Sequence, residues 1–202
     1  MNSLRKKRIG SVLKYTWPIY IVSGVIVVLA LHIIFGVTHR LPGYKTLALF
    51  VSGQMKNADK LEKDLLEEFK EKELKSFSCI SADPSDGAYE AMLRIPGMNS
   101  ADVLIVPNSK LEELGEVIRS EFALTFSNEL IESYFTGLTL YGEDDAKYGV
   151  KLDKDKVSEY MTLPDEDCYL LLNEASYNIG EYSKKPVKEH DNALVIVQNW
   201  GM

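Results

Sequence analysis

Histidine and cysteine are scarce in this chain of 202 residues, with three and two copies respectively. His32, His39 and His190 leave a Ser-His-Asp or Cys-His arrangement only His190 to draw upon, because the other two lie in or beside an apolar N-terminal run. Neither a GxSxG elbow nor an HExxH pair is present. The 13 glycines include no GxGxxG and no GxxxxGK followed by Ser or Thr, so phosphate-cradling loops are missing too. Acidic residues are absent from the first 40 positions, which hold six Lys or Arg, and the remaining 162 carry 17 basic against 30 acidic residues, a net charge of −13. Neutralising phosphates needs a basic face, so nucleic acid is excluded as a partner. At 46% hydrophobic and 26% charged, the chain is too apolar for intrinsic disorder. A region of that length buries roughly 70% of its extended-chain surface, enough for one core without a metal or disulfide.

Metal sites have little to build on. In Glu189-His190-Asp191 adjacent side chains cannot all aim at one ion. The runs Glu143-Asp144-Asp145 and Asp165-Glu166-Asp167 lack the spaced ligands and glycine of a calcium loop and read as exposed turns. No cofactor, no metal and no catalytic residue is expected.

Trp17 to Val37 reads WPIYIVSGVIVVLALHIIFGV, and no Lys, Arg, Asp or Glu stands between Lys14 and Arg40. Some 20 residues at about 1.5 Å each cross a hydrocarbon core of about 30 Å, so residues 17–38 are expected to form one transmembrane helix. Pro18 suits its first turn, and Tyr15, Trp17 and Tyr20 suit the headgroup boundary. Arg5, Lys6, Lys7, Arg8 and Lys14 before the span, against Arg40 and Lys45 behind it, keep residues 1–16 in the cytoplasm and place the rest outside the plasma membrane. A cleaved signal peptide is the rival reading; its apolar region would be shorter, about 7 to 15 residues, and no small-x-small site follows here. His32 inside the run is a functional flag by its position, or a neutral imidazole near the end of the span.

Residues 39–46, with Pro42 and Gly43, read as a short tether ahead of an extracytoplasmic domain over 47–202. Leu47 to Val51 is a strand-length apolar run. From Ala58 to Lys75 the period turns helical, with Leu61, Leu65, Leu66, Phe69 and Leu74 near one face. Further apolar runs, Phe77 to Ser81 and Asp102 to Val106, alternate with helical stretches at Ala88 to Leu93 and Lys110 to Leu114. That alternation predicts an α/β domain with a mainly parallel sheet covered on both faces. FALTF, YFTGLTLYG, YGVKL and Asp165 to Asn173 read as strands or connections, and Asn192 to Trp200 suits either a strand or a closing helix. Cys79 and Cys168 sit in strand-like contexts, and whether they pair depends on a Cα distance that sequence spacing does not give.

Three stretches carry a family resemblance: LALFVSGQMKNADKLEKDLLEEF, SADPSDGAYEAMLRIPGMNSADVLIVPNSKL, and LPDEDCYLLLNEASYNIGEY followed by NALVIVQNW. Together they resemble the extracellular solute-binding proteins of bacterial ABC importers, the type 2 periplasmic-binding-protein fold, over about half the chain. The resemblance implies a ligand-binding or accessory component of a transport system, with a membrane permease as partner and a small solute as ligand. Members commonly have two α/β lobes with the ligand between them; this region is short, so it is either one lobe or one lobe and a remnant. In an open α/β sheet ligands lie beyond the carboxyl ends of the strands, at helix N-termini. That singles out Ser52, Gly53 and Gln54 after the first strand, Asp83, Ser85 and Tyr89 after the second, and Asn108 and Ser109 after the third. Tyr89 is placed to stack on a sugar or other ring, and a helix tyrosine on a half-buried face explains it as well; the others are equally ordinary cap or turn residues. The alternative function is a structural or protein-interaction subunit of a membrane complex that keeps the fold and has no pocket.

Overall fold

The computed structural model describes residues 17–32, 41–143, 145–186 and 190–202. The chain divides into two compact bodies, Met1–Leu41 and Pro42–Met202. In the first, residues 17–32 form a helix, α1. Residues 33–38 of the expected span, the basic segment 1–16 and His39 lie outside the described residues, as do Asp144 and Glu189. Among the described residues no helix is long and apolar enough to cross a membrane. The described part of α1 is about 24 Å long at about 1.5 Å per residue, short of the roughly 30 Å of a hydrocarbon core.

The second body begins earlier than the sequence suggests. Residues 42–46 are not a tether: Gly43–Lys45 make a helical turn, Tyr44 stacks on His190 with ring centroids 4.4 Å apart, and Lys45 pairs with Glu73 at 2.6 Å. The elements then run β1 Thr46–Ser52, β2 Gln54–Met55, α2 Ala58–Glu68, β3 Ser76–Ala82, α3 Tyr89–Met92, α4 Met98–Ser100, β4 Val103–Pro107 and α5 Asn108–Glu121. They continue with α6 Asn128–Tyr134, β5 Leu140–Glu143, β6 Ala146–Lys151, α7 Lys154–Val157, β7 Met161–Thr162, β8 Cys168–Leu172 and α8 Asn192–Trp200. β2 and β7 pair with each other, and the other strands form one sheet in the order β3-β1-β4-β8-β6-β5.

The α/β class holds, but the sheet is mixed rather than mainly parallel. β3, β1 and β4 are parallel, whereas β8 runs antiparallel to β4, β6 to β8 and β5 to β6. The cause lies in the connections: β1, β3 and β4 are joined through helices, while β5 and β6 form a hairpin, which is antiparallel by construction. FALTF is not a strand; only Ala123 bridges, to Asn173. Asn192 to Trp200, rich in β-branched residues, is a helix. Six of its residues are buried, as befits a helix apolar nearly all round.

Alternation along the strands divides the core into two layers. Leu47, Leu49, Val51, Val103, Ile105, Leu170 and Leu172 face α2, α6 and α8, where Leu61, Leu65, Leu130, Leu194 and Val197 meet them. Phe50, Leu104, Val106 and Leu171 face the other way, onto Tyr89, Leu93, Leu111 and Ile118. Cys79 and Cys168 are both free. They lie on β3 and β8, three strand spacings or about 14 Å apart, twice what a disulfide spans. Burial pushes the Cys79 thiol up to about 12 and that of Cys168 to about 11, so neither is a thiolate at neutral pH.

A polar clasp closes the sheet at the N-terminal ends of its parallel strands. Half-buried Asp102 accepts the Ala48 N–H (2.7 Å) and the Ser176 hydroxyl. Fully buried Asn178 donates to the Thr46 carbonyl (2.7 Å), accepts from the Asn192 amide (3.2 Å) and receives the Ala193 N–H on its carbonyl (2.9 Å). Burial raises the Asp102 carboxyl above the usual carboxylate range, partly offset by the Ser176 hydroxyl and the Ala48 amide. Asn178→Ala strands the Thr46 carbonyl and the Asn192 amide, and should lower stability by about 2–4 kcal/mol in chemical denaturation.

Candidate functional site

At the carboxyl ends of β1 and β3 the chain turns sharply twice. After Ser52, Gly53 lies so close to the returning strand that a Cβ there would stand 2.4 Å from the Thr162 carbonyl, which is why glycine is required. Its amide donates to the Ala82 carbonyl at 2.9 Å. After β3, Asp83 closes a turn by accepting both the backbone N–H (2.9 Å) and the hydroxyl (2.7 Å) of Ser85. Those two bonds, with a further one from the Gln54 side chain, hold the Asp83 carboxyl below its usual range. Between the turns is a cleft of about 320 Å³, lined by Gly53, Gln54, Asp83, Pro84 and Ser85 on one side and Thr162, Leu163 and Pro164 on the other. This is the lower end of the size range for small-ligand pockets.

Four of the eight expected residues, Gly53, Gln54, Asp83 and Ser85, thus come together. The other four do not. Ser52 is fully buried and shares a 2.6 Å hydrogen bond with the Tyr89 hydroxyl, so both polar groups are used inside the fold. Tyr89 is itself buried against Phe50, and burial pushes its phenol up to about 12; it offers no face to a sugar ring. Asn108 donates its side-chain amide to Glu112 (2.7 Å) and its backbone N–H to the Asp167 carbonyl (2.8 Å). Ser109 donates its N–H and its hydroxyl to the two carboxylate oxygens of Glu166, both at 2.8 Å.

The last contact decides what the N-terminus of α5 can do. Unpaired N–H groups and the helix dipole make such an end an anion site, and Glu166 already occupies it. The run Asp165-Glu166-Asp167 is therefore not merely an exposed turn: Glu166 caps a helix 57 positions away, and Asp167 pairs with Lys151 at 2.7 Å. Thr162, Leu163 and Pro164 also line the cleft, beyond the residues that the sequence singles out. Nothing in their local pattern marks them, because they reach the cleft only through the pairing of β7 with β2.

Further hollows lie elsewhere among the described residues, and two of them have polar linings. One, about 500 Å³, has Tyr134 and Tyr182 edge to face with Glu129, Glu181 and Asp191 nearby, but Asp191 is already bound by Lys72 and by the Tyr134 hydroxyl (2.8 Å). The other, about 420 Å³, is lined by Arg119, Tyr141, Glu143 and Tyr148. His190 is buried under Tyr44, and its Nδ1 has no hydrogen-bond partner among the described residues. No group of three or more His, Cys, Asp or Glu that could hold a metal ion occurs among the described residues.

No family model matches the chain, and no curated protein matches it. One solved structure, of a protein with acarbose, is similar at 16% identity and a TM-score of 0.37, over 53% of this chain and 29% of its own. The chain therefore spans under a third of that protein's length, and a likeness at this level defines neither fold nor function.

If Glu166 fills an anion site, Glu166→Ala should lower stability by about 1–2 kcal/mol, a drop of roughly 3–6 °C in Tm. Sulfate should return more of that loss in the variant than it adds to the parent chain, whose site is taken. Thermal melts of both with and without sulfate measure the difference.

Proposed function

We propose that this chain is a membrane-anchored, single-lobe module, similar in design to the solute-binding proteins of importers, that acts as an accessory, protein-interacting component of a bacterial membrane complex. One observation carries the reading: the places where an α/β sheet offers polar groups to a ligand are largely filled by the chain itself. Glu166 sits on the N-terminus of α5, and Ser52 and Tyr89 are bonded to each other. Polar groups already satisfied have little to gain from a solute. One mixed six-stranded sheet supports a single lobe rather than two lobes closing on a ligand.

The anchoring rests on the N-terminal run. Ile19, Ile21, Val25, Ile26, Val28 and Leu29 of α1 are each more than half exposed, the arrangement expected of a surface that meets lipid. Five basic residues precede the run, which supports an orientation with the α/β body outside the cell. A reporter fused after Met202 should be active only if it works outside the cytosol, and activity of a cytosolic reporter at that position refutes the orientation.

The second reading, direct solute binding, has a specific observation behind it: Gly53, Gln54, Asp83 and Ser85 converge on one open cleft. An ionised carboxylate, an amide and a hydroxyl there would suit a polyol or an amine. Thermal-shift screening of the full chain against sugars, amino acids and oxyanions separates the two. The accessory reading expects flat melting temperatures; a saturable rise with one solute, lost in Asp83→Asn, favours the second.

A further inference from the structure

Among the described residues β3 is an edge strand with no guard on its open side. It runs SFSCISA in unbroken parallel register with β1, from Thr46 opposite Ser76 to Ser52 opposite Ala82, and carries no charge, proline or bulge. No other described strand pairs with it. The bond from the Gly53 amide to the Ala82 carbonyl sets the phase of the ladder. Ser78, Ile80 and Ala82 turn their N–H and C=O groups to β1, and Phe77, Cys79 and Ser81 turn theirs outward. The opposite edge shows what protection looks like. β5 has four residues, a register shift between Tyr141 and Gly142, and Gly142 at φ +120°. There the Lys147 ammonium sits on the Gly142 carbonyl at 2.8 Å. Bulges, brevity and lysines blunt an edge against other chains, and β3 has none of them.

We propose that β3 pairs with β3 of a second copy of this chain, antiparallel about a twofold axis at Cys79, so that the two six-stranded sheets become one. Self-complementarity is what selects a second copy over a foreign strand. With Cys79 opposite Cys79, Phe77 faces Ser81 on both sides of the axis, and all the outward N–H and C=O groups find partners. Lys75, just before the strand, then faces Asp83, just after it, at both ends; both side chains are exposed. A twofold contact of this kind closes on itself, leaving no open edge for further growth. The pairing also brings Lys75 of the second copy to the rim of the cleft at Gln54, Asp83 and Ser85, which gains a cation only in the dimer. It stands whether or not a solute occupies that cleft.

The test uses a zero-length crosslink. Within one chain Lys75 and Asp83 are separated by the length of β3, about 26 Å at about 3.3 Å per residue, so a carbodiimide joins them only between copies. Full-length chain treated in mild detergent should give a covalent dimer whose linked peptide, by mass spectrometry, joins Lys75 to Asp83. Lys75→Glu should weaken dimerisation about tenfold, since it replaces two attractive cross-strand pairs by repulsive ones. Adding Asp83→Lys should restore it. Ser81→Pro removes an outward N–H while leaving the β1 ladder intact, and should abolish the dimer; Lys75→Glu, on an exposed residue, serves where the proline variant fails to fold. A parent chain that is monomeric by light scattering, or a dimer indifferent to these substitutions, overturns the proposal.

Discussion

The fold depends on the polar clasp at the amino ends of β1 and β4. Asp102 takes the Ala48 amide and the Ser176 hydroxyl, and Asn178 joins the start of β1 to the start of α8. Such groups stabilise by modest amounts when every partner is present and cost the full desolvation penalty when one is missing, so the network acts as a unit. It does what the hydrophobic layers cannot. Apolar burial is non-directional and would tolerate several placements of the 173–178 loop, whereas a carbonyl and an amide at 2.7 Å accept one. Asn173 reinforces the same joint by donating to the Ala101 carbonyl at 2.9 Å. The amino ends of the strands are fixed in this way, and the cleft lies at the opposite, carboxyl ends.

At those carboxyl ends the chain also supplies its own substitutes for a ligand. Glu166 stands where an oxyanion would sit on α5, with both carboxylate oxygens engaged. An acid from the same chain binds without the loss of translational freedom that a free anion suffers, so it competes at high effective concentration. What remains open is the narrower space between the Asp83 turn and the Thr162–Pro164 segment.

The parts of this architecture legible in the sequence are those with a local physical signal. β1, α2, β3 and β4 announce themselves by period: LALFV and DVLIV are uninterrupted because both faces of those strands are covered, and α2 shows its buried face through Leu61 and Leu65. The direction of β8 does not follow from its own residues, since an apolar strand reads alike in either sense and only its neighbours decide. α8 defeats propensity because Val195, Ile196 and Val197 favour strands while tertiary packing holds them in a helix. Within the site, the Gly53 and Asp83 turns were readable from turn chemistry. Of the two readings open to Tyr89, the buried one is what the fold adopts; a tyrosine hydroxyl serves as readily inside as outside, and here Ser52 is its partner. Glu166 and most of the clasp are invisible for one reason: the partners of Glu166 and Asp102, and the Thr46 partner of Asn178, lie 54 to 132 positions away.

The two halves of the sheet differ in more than strand direction. Its antiparallel half is built from a short hairpin whose outer strand has four residues and a register shift, with the Lys147 ammonium on its Gly142 carbonyl, so its edge is blunted. The parallel half ends on a strand laid down by a helical crossover, and a crossover covers the faces of a sheet without touching its edge. Helix α2 buries Phe77 and packs on Cys79, yet the backbone of β3 beyond them is left with half of its polar groups turned away from β1. In water those groups are solvated and cost nothing. Any strand that matched them would exchange solvent bonds for protein ones while extending the same two apolar layers sideways, and the layers supply the larger part of the gain. A sheet whose order is set by one blunted edge and one bare one therefore has a built-in direction in which it can grow.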